Sequence, residues 1–428
     1  MKGEESFPRD ERGTVTYWLD RSLCGEELLL TEEERLRLNR SMREKSQSLA
    51  DLSEFPEELS RDELQEMILA AQQDFRFSET PGEHYDGNGF PIGQEDYGGA
   101  KRNCNLTALA KKNPVGYALT CQRVNLRLLP TKKNYFDHKD FRHYDDLQGT
   151  ALDPAEPLLL LHRSLDGEYA FVRARHYAGW VDFGALALAE RSSWATYVHP
   201  EEFLVVTENQ KEIFLGRERL LFQMGSILPL CSEKKEGAWR VRIPGRNGGC
   251  LRELEMELPK DETLHRGWLP CTGNQFLRQA FKFLGDGYGW GGMEDSVDCS
   301  AFVGDVYRSM GLEIPRDADQ QELAMPELSN LVGLSTAERY ACLEKTPPGA
   351  LLFLPGHVML CLGADGSGTP FAIHAASSYY TFSHGMGEKH YVRRVLVSDL
   401  RLRNRRGVEF INGLTGIGYV KKKGLSVV

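Results

Sequence analysis

Cys299, His357 and His374 are the residues whose types and surroundings could do chemistry together. Cys299 sits in the phrase Val297–Asp298–Cys299–Ser300–Ala301–Phe302–Val303, and Phe302, Val303, Val306, Tyr307 and Met310 recur behind it at helical spacing. Ser296, Asp298 and Ser300 are the small or polar residues that a helix start wants, and Gly311 is a helix stop. The thiol is therefore expected in the first turn of a buried helix. Free N–H groups and the positive end of the helix dipole there favour thiolate over thiol. Such a thiolate needs a general base and an orienting group to act as a nucleophile. His357 opens the strand-like run His357–Leu362 just after Pro355–Gly356, and His374 lies in the next run, Phe371–Ala375. The Gly-rich, polar stretch 363–370 between them reads as a hairpin loop, which can bring both rings to one face of a sheet. With the Cys299 helix packed on that sheet, His357 takes the thiol proton and His374 holds the imidazole in the right tautomer.

These residues need a domain to position them, and the region 271–428 supplies an α+β pattern. A helix is expected from about Thr272 to Leu284, with Phe276, Leu277, Ala280, Phe281 and Leu284 on one side. A Gly-rich turn, Gly285 to Gly292, leads to the Cys299 helix, and strands follow at Ala350–Leu354, His357–Leu362, Phe371–Ala375 and Tyr391–Leu396. Upstream, 114–270 is all-β: short apolar runs alternate with turn signals in two series. One ends in Tyr177–Ala178–Gly179–Trp180–Val181, the other in His265–Arg266–Gly267–Trp268–Leu269. We read a weak internal repeat of two small barrels, 114–198 and 199–270, with Gly267–Leu269 as a strand of the second. Residues 1–113 form an N-terminal segment. Leu28–Leu30, Leu36, Leu38 and Met42 suggest a short helix with a charged face, Leu64, Met67, Ile68 and Ala71 a second one, and Ser78 to Asn105 a long loop.

The 428 residues suit several domains, and 41% hydrophobic with 27% charged residues is ordinary for a globular protein. A net charge of −10 argues against nucleic acid as the main partner, and the run Arg401–Leu402–Arg403–Asn404–Arg405–Arg406 reads as a solvated turn. Nine scattered cysteines without a CxxC pair give neither a zinc ribbon nor a disulfide framework. No apolar run is long enough to span a membrane. Met1 to Gly13 is charged and reads as no export signal, as a chain whose leader had been removed also would, so the compartment stays open between cell envelope and cytoplasm.

Asp-Cys-Ser before an amphipathic helix, Gly-His-Val opening a strand and Ile-His in the next, preceded by Tyr288–Gly289–Trp290–Gly291–Gly292, together resemble the NlpC/P60 family of cysteine peptidases, whose fold is papain-like. Ala301 stands where that family commonly has Gly. The Gly-Trp phrases resemble the closing strand of bacterial SH3 domains, so the chain looks like the branch with an N-terminal segment, two SH3-like barrels and the peptidase domain. That branch implies a γ-D-glutamyl-L-diamino acid endopeptidase acting on peptidoglycan stem peptides, preferring a free N-terminal L-Ala, with no metal or organic cofactor. An ammonium with three donors needs acceptors and a carboxylate around it. The resemblance puts Asp298 and Asp317 forward as carboxylates, in the phrase Pro315–Arg316–Asp317–Ala318, with Arg316 in the same motif. Trp290 walls the pocket, and Ser300 and Tyr288 bond substrate or oxyanion. Tyr177 and Asp146 are the tyrosine and acid expected from the first barrel. The family commonly has Glu at that acidic position and Ser where this chain has Ala318. Three other readings compete: a non-catalytic peptidoglycan-binding protein, an amidase or acyltransferase on the same fold, and a Cys–His–His zinc site.

Overall fold

The computed structural model describes residues 7–22, 25–73, 75, 83–231 and 237–421. Cys24, the first residues of the charged N-terminus and positions 78–82 of the expected loop lie outside the described residues. No helix among the described residues is long and apolar enough to cross a membrane.

The helix Glu32–Lys45 starts at a capping box, in which Thr31 accepts from the Glu34 N–H while the Glu34 carboxylate accepts from Thr31. Its buried face is only partly the apolar face the sequence suggested. Met42 is fully buried as expected, but Leu36 is 52% exposed while Arg35 and Asn39 are buried. The reason is the surface it docks on. Arg35 and Asn39 both donate to the Gly311 carbonyl at 2.8 Å, at the end of the Cys299 helix, where a carbonyl has no helical partner. Arg61–Ala70 is a second capped helix, burying Leu64 and Ile68 as their spacing predicts. The expected loop holds a further helix, Gln94–Asn103. Gly98 and Gly99 lower its propensity and hide it, and tertiary burial of Ala100 restores it.

The β region is more continuous than two separate barrels. Its nine-stranded sheet runs, edge to edge, Ala238–Asn247, Cys250–Pro259, Leu186–Leu188, Gly116–Thr120, Pro157–Arg163, Tyr169–Arg173, Ala178–Asp182, Val124–Arg127, Gln148–Leu152. The hairpin 238–259 of the second series thus extends the sheet of the first, joined where Cys250 pairs with Leu188. The two Gly-Trp phrases also differ. Trp180 lies inside a strand and is fully buried. Trp268 lies beyond the strand Leu264–Arg266, because Gly267 turns the backbone to φ +71°, and it packs on Phe203 at 4.8 Å. Trp180→Ala is expected to cost about 3–5 kcal/mol, as truncation of a fully buried aromatic does, read as a lower urea midpoint.

In the C-terminal part a six-stranded antiparallel sheet runs Glu327–Asn330, Gly416–Tyr419, Leu351–Leu354, His357–Ala364, Pro370–Ser383, Met386–Asp399. The helices Gly273–Phe281 and Cys299–Ser309 share one core with its Val358, Leu360, Ile373 and Ala375. Phe302, Val303, Val306, Tyr307 and Met310 are fully buried in it, as their spacing predicts. The Cys299 helix ends in a Schellman turn: Gly311 takes φ +73°, its N–H bonds the Arg308 carbonyl and the Leu312 N–H bonds that of Tyr307.

Candidate active site

Cys299 is the first residue of its helix, with Asp298 as N-cap. The Asp298 carboxylate accepts from the Ala301 N–H (2.9 Å), the Gly291 N–H (2.9 Å), the Ser300 hydroxyl (3.2 Å) and both terminal nitrogens of Arg316 (3.0 and 2.6 Å). Arg316 holds this buried carboxyl below its ordinary range against the cost of burial. Arg316 also bonds the Ser300 hydroxyl at 2.9 Å and, through Nε, the Thr150 hydroxyl of the first barrel at 2.8 Å. Asp298, Ser300 and Arg316 therefore form one buried cluster beneath the sulfur, and Ser300 spends its hydroxyl inside it.

The thiol departs from the sequence-based expectation. Burial and the neighbouring Asp298 carboxylate push Cys299 up to about 12, against the opposing pull of the Val358 and Ser300 N–H groups and Arg316. Desolvation of the charged form outweighs the helix dipole. The Val358 N–H that faces the sulfur belongs to the residue next to His357. No hydrogen bond joins the sulfur to either imidazole in this resting geometry, which in free enzymes often tightens only with substrate bound.

Pro355–Gly356, with Gly356 at φ +72°, forms the tight turn before His357, as Leu354 pairs with His357 across the hairpin. His357 Nε2 lies 2.9 Å from His374 Nδ1, and His374 Nε2 lies 3.0 Å from Ser398 Oγ. His374 and Ser398 are fully buried. One proton order satisfies this chain with His357 as a base. His357 donates from Nε2 to His374, which donates from its own Nε2 to Ser398, and Nδ1 of His357 is left as an acceptor. Burial lowers His357 to about 4 and His374 well below the ordinary imidazole value, so both rings rest neutral. Phe410 packs beside both, at 6.0 and 6.2 Å. Ser398→Ala leaves a buried N–H without an acceptor, an expected loss of about 1–3 kcal/mol. A fall in kcat at unchanged KM should accompany it, measured by urea melts and steady-state kinetics.

The turn before the helix explains its glycines. A Cβ on Gly289 would lie 2.0 Å from the Met293 carbonyl oxygen, and one on Gly291 (φ +56°) 2.6 Å from Gln148 of the first barrel. Gln148 in turn donates to the Gly291 carbonyl at 3.0 Å. Tyr288 is buried, with its phenol within electrostatic reach of Cys299 and Asp298, and Trp290 is 38% exposed. Tyr144 of the first barrel, a residue the sequence reading passed over, meets both rings, at 6.3 Å from Tyr288 and 5.8 Å from Trp290.

The remaining expected residues divide. Tyr177 lies against Gly149, within electrostatic reach of Arg316, as does Asp317 at the start of the helix Ala318–Ala324. Asp146 does not join them. Its carboxylate is taken by the buried His84 at 3.1 Å, and no bond links it to Cys299, Asp298 or Arg316. The resemblance that put Asp146 forward said nothing of His84, which arrives from far upstream. Behind the Cys299 helix a large opening is lined by Ser300, Ala301, Gly304, Asp305, Arg316 and barrel residues that include His176, but not by Cys299, His357 or His374. There Arg308 bridges Asp153 (2.9 Å), Glu156 (3.0 Å) and Asp305 (3.1 Å), tying helix to barrel. Among the described residues no group of His, Cys, Asp and Glu is arranged to hold a metal ion.

Residues 133–182 match the SH3 domain (SH3b1 type) family model, and residues 285–401 match the NlpC/P60 family model. A solved structure described as a novel NlpC/P60 endopeptidase from Photobacterium damselae subsp. piscicida is similar over 92% of this chain and 94% of its own, with 16% identity and a TM-score of 0.75. An NlpC/P60 family protein from Bacillus cereus ATCC 10987 is 19% identical over 64% of this chain and 83% of its own, with a TM-score of 0.46. No curated protein matches the chain. At the first structure's identity the likeness is one of fold.

Proposed function

We propose, for a chain whose residues 285–401 match the NlpC/P60 family model and whose residues 133–182 match the SH3b1-type model, a cysteine endopeptidase acting on peptidoglycan stem peptides. The bond it cuts is the one between D-Glu, through its γ-carboxyl, and the diamino acid. The observation that carries this reading is the hydrogen-bonded chain His357–His374–Ser398 beside the helix tip that bears Cys299.

In this mechanism Cys299 Sγ attacks the γ-carbonyl carbon as its proton passes to His357 Nδ1. Imidazolium on His357 strengthens its Nε2–H bond to His374. The Cys299 backbone N–H, in the open first turn, faces the developing oxyanion. Collapse breaks the C–N bond, and the leaving amine takes the proton from His357. Water then gives a proton to His357 and its oxygen to the thioester carbonyl. The thiolate leaves and recovers the proton. The thiol and imidazole begin as a neutral pair, so proton transfer belongs to the attack itself.

A free L-Ala amine is the proposed specificity feature. The Asp298 carboxylate is occupied by its five donors, and we assign recognition of an ammonium to Asp317, a carboxylate, and Tyr177, both within electrostatic reach of Arg316 beside that cluster. The test is mass spectrometry of tri- and tetrapeptide digests with free and acetylated L-Ala. Release of L-Ala-γ-D-Glu from the free peptides alone is expected. Equal cleavage of both removes the amine preference, and products cut at another bond remove the assigned linkage.

A further inference from the structure

The segment between Thr131 and Leu147 leaves the first barrel and reaches the peptidase domain. Its base is fixed: the buried Asp145 carboxylate accepts from Arg127 (2.8 Å), Asn134 (2.7 Å) and the Tyr135 and Leu147 N–H groups (2.9 and 3.1 Å). Its tip instead rests on two elements of the peptidase domain. Phe141 packs on Tyr391 at 4.6 Å, and His143 Nε2 lies 2.7 Å from a terminal nitrogen of Arg393. Glu294, in the Gly-rich turn, lies 3.8 Å from His143 Nδ1 and 3.6 Å from Arg393. Arg393 (φ +41°) and Glu294 (φ +57°) both hold left-handed backbone that residues with side chains seldom adopt, a conformation the surrounding contacts must stabilise. The Arg393 carbonyl also accepts the Tyr288 N–H at 3.0 Å. One residue thus ties both the loop tip and a groove wall.

A guanidinium can only donate, so His143 Nε2 must be the acceptor and the ring proton sits on Nδ1, toward Glu294. A second proton would go on Nε2, replacing a hydrogen bond with two cations in contact. Burial and Arg393 both lower the pKa of His143, with Glu294 opposing. The next acid, Asp295, is engaged by Arg123 and Arg219; the tip itself also carries Asp137, His138, Lys139, Asp140 and Arg142, and Lys389 faces Asp137 from the strand Met386–Asp399.

We propose that His143 is a positioning residue of the groove: neutral, it latches the barrel loop to Arg393 so that Tyr144 stands against Tyr288 and Trp290, and its protonation releases the loop. The kinetic consequence rests on the endopeptidase reading, whereas the release itself does not. The latched state binds the second proton more weakly than the open one. Latching is therefore complete above the ordinary imidazole pKa and weakens as pH falls below it.

The test is hydrogen–deuterium exchange of the substrate-free full chain at pH 7.5 and pH 5, corrected for intrinsic rates. Segment 137–144 should lose protection several-fold at pH 5, with the base at Tyr135 and Leu147 unchanged. In His143→Gln, whose amide oxygen still accepts from Arg393, that pH step should vanish, and His143→Asn serves if Gln misfolds. No step in the native chain, or a step that persists in both variants, overturns the latch. With stem peptide, KM should rise several-fold at pH 5 in the native chain and stay level in His143→Gln, at similar kcat. A chain that cuts no stem peptide refutes the endopeptidase reading and leaves the exchange result to decide the latch.

Discussion

Cys299→Ala is expected to lower kcat/KM for stem peptides by roughly ten-thousandfold or more, with peptide binding largely retained. The sulfur forms the bond that divides one hard step into two, and nothing in the cluster beneath it can substitute. Asp298 is ionised and occupied, and the Ser300 hydroxyl is held by Asp298 and Arg316. His357→Ala should fall nearly as far, and the double variant little further, because base and nucleophile act as one unit. The pH dependence follows from burial. A base works unprotonated, and burial lowers His357 to about 4, so kcat should hold well below the ordinary imidazole pKa and fail near pH 4. The same burial bears on stability with the same sign. An imidazole buried neutral contributes fully above its unfolded pKa, and that contribution is lost as pH falls toward the lowered folded value. Stopped assays between pH 4 and 8, paired with urea melts, separate loss of the base from loss of the fold.

Arg316→Met is expected to cost about 3–5 kcal/mol, because it removes the counter-charge and two of the five donors of the buried Asp298 carboxylate. Asp298 would then lose its principal counter-charge while still capping the Cys299 helix. Activity should drop as well, since the same guanidinium fixes Ser300 and joins the helix tip to Thr150 of the barrel. Asp298→Asn in the Arg316→Met background should recover part of the loss, because Asn can still accept at the N-cap and carries no charge. Two single variants that add without coupling would contradict this account of the pair. The folded Asp298 pKa is lowered, so the pair's contribution is present above the unfolded carboxylate pKa and is lost only as pH falls through the folded value.

Which parts of this were legible in the sequence follows the reach of each signal. The buried face of the Cys299 helix and its Gly311 stop are local patterns, and the structure reproduces them residue by residue. The hairpin bearing His357 and His374 is also local. Ser398 was not legible: it ends the apolar run Val395–Leu396–Val397, and only the register of two long strands, Ala372 opposite Ser398, carries it to His374. Tyr144 and Thr150 depend on how one domain docks on another, which periodicity does not encode. On Glu32–Lys45 the burial of Met42 was legible, but that of Arg35 and Asn39 was not, for the same reason: they donate to the Gly311 carbonyl of another element. The helix Gln94–Asn103 was hidden by its glycines, and the strand expected at Gly267–Leu269 by the weight given to a repeated dipeptide. The thiol's acidity was misjudged because the helix dipole is visible in a sequence and depth of burial is not.

The proposed chemistry places an acyl group on one sulfur during turnover. Acid-quenched mass spectrometry of the full chain, mixed with a stem peptide carrying a free L-Ala amine, tests this most directly. The account predicts a transient mass increase equal to L-Ala-γ-D-Glu less water, mapped by digestion to Cys299 and absent from Cys299→Ala. Undiminished turnover by Cys299→Ala, or an adduct mapped to any other residue, would contradict it.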